Sequence, residues 1–496
     1  MIQIEYGPVH SRLRCSNGNE LKLADKLLSK EFTYQVPGYV FSPRYMSMEW
    51  DGRKTFYHTG HHKFLSGLLS MVLRVLNGAE FDVEVNGYPA PLVAPTAPIY
   101  LFPDITLYDY QMHAVRQVLK YHRGIVKVAT NGGKTEVMGG ILKATHMPPS
   151  IVVVPRLEIF TQTVERLQTR LNIDVGMAGG GKWLLNPKGV TVAMFQTVLK
   201  NIDKADTKRW LNGAQNLFDD ECHFLSDAGL QKVVGAIPAP LRVFMSGTPF
   251  KESIIEQMNV RGYAGPVLCT VGNKELIDRG VSVKPKIVFL EPKLTWIEKK
   301  QMEHGTWDTT LYNCGARNQL IGNLAMGFVA TGRQTVVMVN RVEHGLQILK
   351  HTPGAVFVHS QSGNRKQVKK RLESGEAFIC ICTSIFDTGL SVDYMEALIL
   401  AGGGSAAHTL LQRLGRLLRR AKNRDKDIWC IDFWDTFNRI TRSHSRDRWE
   451  IFKAEGAFDM MEGPDHLPQD VVTEVWEGAG AERKFVQKSR KAKWQN

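Results

Sequence analysis

The chain has 496 residues, 43% of them hydrophobic, and its 63 Lys and Arg outweigh 49 Asp and Glu to leave a formal charge of +14. That length exceeds one hydrophobic core and predicts about three domains, while the basic excess favours a polyanionic partner. Seven scattered cysteines without C-x-x-C spacing argue against a disulfide framework or zinc site and fit a reducing cytoplasm, and no apolar run is long enough to span a bilayer.

In chain order, residues 1–88 read as a small α/β domain. Strands are predicted near Ile2–Tyr6 and Leu13–Cys15, a helix around Leu21–Ser29, strands near Phe41 and Lys54–Tyr57, and a longer helix over His62–Leu76. Phe41 and Trp50 are expected in its core, because large aromatics in a small domain are usually what it buries. Arg44 and Arg53 are expected at the surface, where they and nearby aromatics could meet phosphate and an unpaired base. Pro89, Pro91, Pro95, Pro98 and Pro103 stiffen the backbone and remove donors, so residues 89–106 read as a linker.

From residue 107 to 270, strand-like runs at Ile125–Ala129, Ile151–Val154, Val190–Met194, Leu217–Asp219 and Val243–Ser246 alternate with helical segments. A second series over 271–455 comprises Ile287–Leu290, Thr335–Val339, Ala355–Val358, Ile379–Thr383, Ala397–Ala401 and Ile428–Phe433. Alternation of this kind predicts two parallel-sheet domains in tandem, each with helices on both faces. Residues 456–496 form an extension ending in a basic tail that includes Arg483, Lys484 and Lys488.

The chemistry concentrates where strands end. Thr130-Asn131-Gly132-Gly133-Lys134-Thr135 follows the first strand of the 107–270 series. Glycines there let backbone N–H groups face phosphate oxygens, Lys134 adds a point charge, and Thr135 offers magnesium a hydroxyl. Val128 stands where the strict phosphate-loop pattern has its first glycine. Downstream, Asp220 can complete the metal site, and Glu221 can orient and deprotonate an attacking water. ATP with Mg2+ is the expected cofactor pair. Arg416 and Arg419 lie three residues apart, on one face of a predicted helix, where they could clamp a transferring phosphate.

These residues, in this order, resemble superfamily 2 helicases from about Leu107 to Phe433. The resemblance implies two RecA-like domains and places adenine reading at Tyr110 and Gln111. It makes His223, Ser246 and Thr248 the link between ATP and nucleic acid, and puts Gly389, Ser391 and Gln412 beside the nucleotide. Nucleic-acid contacts are implied at Pro155, Arg156, the Gly179–Gly181 turn, Gln196, Thr197, Asn340, Arg341 and Thr383. The front segment, Pro37-Gly38-Tyr39 through Ser42-Pro43-Arg44 and Trp50-Asp51-Gly52-Arg53, is similar to that of UvsW-like phage recombination helicases. That likeness implies an enzyme of the host cytoplasm that remodels branched or forked DNA. An RNA-remodelling helicase and an annealing protein that binds ATP without motor activity stay open as alternatives.

Overall fold

The computed structural model describes residues 1–251, 253–294, 300, 306–359, 362, 365–383, 395–404, 410–411, 414–415, 417–418 and 427–472. Met1–Leu276 make one compact unit and the chain from Ile277 a second.

The first unit opens with a five-stranded sheet, ordered Tyr57–His58, Lys63–Leu65, His10–Arg14, Ile2–Glu5 and Val83–Asn86. Alternation along Ile2–Glu5 turns Ile2 and Ile4 inward. The helix Gly18–Glu31 covers them with Ala24 and Leu28, and starts where the Asn17 side chain accepts the N–H groups of Asn19 and Glu20.

Four expectations fail here. No strand forms at Phe41: Gly38, left-handed at φ 70°, and Pro43 at a helix start give a 3-10 turn over Tyr39–Phe41 and one helical turn over Pro43–Met46. Phe41 is 80% exposed, not core, and Trp50 is only half-buried, its Nε1 donating to the Arg53 carbonyl at 2.7 Å. The expected helix from His62 also starts late. His62 is left-handed at φ 49°, Lys63–Leu65 is a strand, and the helix runs from Leu69 to Gly78.

What fills the small core instead comes partly from elsewhere in the unit. Ile255 and Met258, on the helix Ile254–Ala264, pack with Leu13, Phe32, Phe64 and Leu68. A Cβ at Gly67 would be driven into the backbone oxygens of Arg261 and Gly262. Buried Arg123 crosses the same seam, donating to the Tyr6 hydroxyl at 3.0 Å, to the Tyr263 carbonyl at 2.7 Å and to the Pro8 carbonyl. Gly67→Ala is therefore expected to cost about 1–3 kcal/mol, the usual range for overpacking a tight contact. A thermal melt checks this, and an unchanged midpoint would contradict the close approach.

The proline-rich stretch lies against the neighbouring helices. Tyr100–Leu101 pairs with Ile105–Thr106, Ile99, Leu101 and Leu107 are buried, and the Phe102 N–H donates to the Arg170 carbonyl at 2.9 Å. Prolines remove donors, but the residues between them keep theirs and find helix partners.

The second sheet of this unit has eight strands in the order Lys182–Leu184, Gly176–Gly179, Val190–Met194, Ser150–Val154, Asn216–Asp220, Leu241–Ser246, Arg123–Val128 and Val267–Val271. All neighbours are parallel except the first pair, a hairpin turning through Gly180 and Gly181. Runs such as Ser150–Val154 are buried throughout, as a sheet covered on both faces requires.

In the second unit seven described strands pair in parallel: Val356–Val358, Ile379–Cys382, Thr335–Met338, Ala397–Leu400, Ile428–Phe433, Pro285–Leu290 and Asp459–Glu462. The helix Gly315–Ala330 covers one face with Ile321, Leu324, Ala325 and Phe328. Buried Arg317 and Arg448 are held by Asp435 and Asp432 at 2.7 and 2.9 Å.

Candidate functional site

Parallel strands end on one edge of a sheet, so the loops that follow them gather there. In the eight-stranded sheet, Arg123–Val128, Leu241–Ser246 and Asn216–Asp220 are consecutive neighbours. They deliver Thr130–Thr135, Ser246–Thr248 and Asp220–His223 to one place.

The loop after Val128 needs its glycines for specific reasons. Asn131 and Gly133 are left-handed at φ 74° and 78°. A side chain on Gly133 would collide with Gln111 Nε2, which donates to the Gly132 carbonyl at 3.1 Å while Gln111 Oε1 accepts the Tyr108 N–H at 2.9 Å. Gln111 thus braces the loop, and Tyr110 is buried beside it. Tyr108, which the sequence reading passed over, is 55% exposed and stacks on Tyr110 with ring centroids 5.6 Å apart.

Lys134 opens the helix Lys134–Ala144, with Thr135 buried in its first turn. Its ammonium lies 2.7 Å from Glu221 Oε1 and 3.6 Å from Asp220 Oδ1. Burial alone would favour the neutral amine, but the two carboxylates hold Lys134 above its ordinary pKa. Burial likewise works to raise Glu221, yet Lys134 and His223 outweigh it and keep this carboxyl well below the usual range. Asp220 goes the other way: burial dominates, Lys134 opposes it, and the charge of Glu221 adds to the rise.

Asp220 Oδ1 is buried without a hydrogen-bond partner. A hard carboxylate oxygen with no hydrogen bond, carried by the same carboxyl that pairs with Lys134 at 3.6 Å, suits Mg2+, which takes one or two protein oxygens and fills its remaining positions with water and phosphate. Among the described residues no group of three or more His, Cys, Asp or Glu side chains could hold a metal.

Glu221 is itself left-handed, at φ 69°, a conformation uncommon for non-glycine residues. Its N–H donates to the Met245 carbonyl at 2.8 Å. Oε2 accepts from the Ser246 hydroxyl at 3.4 Å and lies 3.2 Å from His223 Nδ1. The Ser246 hydroxyl accepts the Thr248 N–H at 3.2 Å and is 3.2 Å from His223 Nδ1. Of the three residues expected to couple ATP to nucleic acid, His223 and Ser246 therefore meet at Glu221 Oε2, and Thr248 joins them through its N–H to the Ser246 hydroxyl.

On the same edge, the strands Ser150–Val154, Val190–Met194 and Gly176–Gly179 lead to Pro155-Arg156, Gln196-Thr197 and Gly180-Gly181. Gln196 Nε2 donates to the Pro155 carbonyl at 2.9 Å, and Arg156 is exposed. In the second unit, Asn340 and Arg341 follow Thr335–Met338 and Thr383 follows its neighbour Ile379–Cys382. Asn340 Nδ2 donates to the Gly402 carbonyl at 2.8 Å, and Arg341 pairs with Asp308 at 3.2 Å. Arg44 and Arg53 are exposed, beside an edge-to-face Tyr39–Tyr45 pair at 4.7 Å. Gly389, Ser391, Gln412, Arg416, Arg419 and the basic tail lie outside the described residues.

Comparison with known proteins adds lineage to this geometry. A family model described as the type III restriction enzyme res subunit matches residues 104–251, and one described as the helicase conserved C-terminal domain matches residues 316–421. The chain is 25% identical over 397 residues to the DNA 3′-5′ translocase XPB2 of Sulfurisphaera tokodaii, covering 71% of this chain and 86% of that protein. It is 23% identical over 460 residues to the ATP-dependent DNA helicase uvsW of Enterobacteria phage T4, covering 86% and 88%. Its fold is similar to the DNA-bound ATP-dependent type ISP restriction-modification enzyme LlaBIII, with a TM-score of 0.55 at 13% identity over 81% of this chain and 35% of that one.

Proposed function

We propose that this chain, an ATP-dependent helicase of superfamily 2, remodels branched DNA through branch migration, fork regression and strand annealing in phage recombination and replication restart. The observation that carries the reading is the divided carboxyl edge of one sheet. Lys134, Asp220 and Glu221 occupy one half, and Arg156, Gly180, Gly181 and Gln196 the other.

Lys134 and the N–H groups of the Thr130–Gly133 loop would bind the phosphates of ATP, with Tyr110 and Gln111 on the adenine side. Thr135 and Asp220 would hold Mg2+, which supplies charge neutralisation to the phosphate oxygens. A phosphate that takes the Lys134 ammonium releases Glu221 from its 2.7 Å pair. The freed carboxylate can then accept a proton from the attacking water. His223, Ser246 and Thr248 would report the state of Glu221 to the nucleic-acid half. Roles for Arg416 and Arg419 on the transferring phosphoryl group, and for Gly389, Ser391 and Gln412 beside ATP, rest on the sequence pattern alone.

Arg156, Pro155, Gln196, Thr197, Asn340, Arg341 and Thr383 would grip the DNA backbone without reading bases, as a translocase requires. Arg44 and Arg53 would add contacts at a junction from the 1–88 domain, followed by the 89–106 segment, motor domains over 107–270 and 271–455, and the 456–496 extension. Both curated relatives carry DNA enzyme names, which supports DNA over RNA. The workplace would be the host cytoplasm.

Steady-state ATPase measured with single strands, linear duplex, forks, four-way junctions and RNA tests the reading. Forks and four-way junctions are expected to stimulate several-fold more than linear duplex. Equal stimulation by duplex would remove the branched substrate, stronger stimulation by RNA would favour the RNA remodeller, and ATP binding without turnover would favour the annealing protein.

A further inference from the structure

Between the two halves of the carboxyl edge lies one residue that no motif assigns, Phe224. Its neighbour His223 has Nδ1 3.2 Å from Glu221 Oε2, and the His223 and Phe224 rings stand 4.3 Å apart at 36°. The Arg156 guanidinium also sits over the Phe224 ring, 5.4 Å from its centroid. Arg156 begins the helix Leu157–Leu171 directly after the strand Ser150–Val154. The backbone just before it is tied down, since Gln196 Nε2 holds the Pro155 carbonyl at 2.9 Å. Phe224 lies in the 3-10 turn Cys222–Ser226, flanked by buried Cys222, His223 and Leu225. A continuous series of contacts therefore runs from the carboxylate assigned as general base to an exposed arginine assigned to the DNA backbone.

We propose that Phe224 is a positioning residue that couples DNA binding to Glu221, with Arg156 switching between its ring face and a DNA phosphate. The inference rests on the reading of Arg156 and Glu221 given above. An arginine on an aromatic face is held by the ring quadrupole, and a phosphate competes for the same guanidinium with a full charge and bidentate geometry. The two positions of Arg156 are discrete, as an element that transmits a state must be. When the guanidinium leaves, the Phe224 ring loses its cover and can settle differently against His223. That imidazole is one of the groups holding Glu221 Oε2, with the Ser246 hydroxyl, so the orientation of the base changes with the occupancy of the DNA half.

The test is the ratio of ATP turnover at saturating DNA to turnover without DNA, measured on the full chain. Phe224→Leu keeps apolar bulk and removes the ring face, and is expected to lower the ratio roughly three- to tenfold, within the range that mutations along a coupling route produce. Phe224→Trp restores a face for the guanidinium and is expected to keep the ratio near wild type. A merely structural role would lower both turnover rates together and leave their ratio unchanged, so an unchanged ratio in Phe224→Leu overturns the proposal. DNA affinity of Arg156→Gln is measured in parallel and is expected to fall. Wild-type affinity there would remove the premise that Arg156 meets DNA, an outcome distinct from failure of the Phe224 coupling itself.

Discussion

Lys134→Ala is expected to reduce ATP turnover by at least about a hundredfold, the loss typical of removing one preorganised donor from a developing charge. The effect should exceed that of deleting a surface lysine, because Lys134 is the cation shared by Glu221 at 2.7 Å and Asp220 at 3.6 Å. Its removal has a second consequence. Glu221 has a lowered pKa in the folded chain, opposed by burial and produced by Lys134 and His223. A carboxyl of that kind contributes stability that is present above its unfolded pKa and is lost as pH falls through the folded value. Lys134→Ala should therefore melt at a lower temperature at neutral pH, with the difference from wild type narrowing on acidification. ATPase assays and melts across pH check both, and wild-type turnover in the variant would refute the phosphate role.

Glu221→Gln is expected to separate binding from chemistry. The amide keeps the shape of the side chain and an oxygen that can accept from the Ser246 hydroxyl, which lies 3.4 Å away in the wild type. It cannot take a proton from water, so turnover should fall by about a hundred- to ten-thousandfold, the range for a positioned general base. Lys134, no longer paired with a carboxylate at that position, stays available to phosphate. A fluorescent ATP analogue should accordingly bind about as well as to wild type. Rapid turnover in this variant would remove Glu221 from the reaction.

Much of the site was legible because its chemistry depends on residue types placed after strands. A glycine pair, Lys and Thr behind one apolar run, and Asp-Glu behind another, mark the candidate phosphate and metal site from residue order alone. The sequence could not reveal that Glu221 takes φ 69°, or that Ser246 and His223 converge on it from different loops. Those facts depend on strand order, which places Leu241–Ser246 between Asn216–Asp220 and Arg123–Val128. Phe224 escaped for the same reason, since its partner Arg156 is distant in sequence.

The front segment shows where local pattern misleads. Phe41 was expected in the core because a small domain needs large side chains, but Ile255 and Met258 arrive from a helix far along the chain and help fill that space. Phe41 is then left at the surface with Met46 and Met48, which are 67% and 93% exposed. His62 adopts φ 49° and Lys63–Leu65 pairs as a strand, so the apolar run becomes helical only from Leu69. The parallel strand Asp459–Glu462 also went unseen, being short, half-buried and on the sheet edge.

Phosphate release by the wild-type chain and by Lys134→Ala, each with and without a four-way DNA junction, tests the ATP site and its link to DNA in one measurement. The structure predicts wild-type release that rises with DNA and a variant near background under both conditions. Wild-type release indifferent to DNA, or release that survives loss of Lys134, would contradict it.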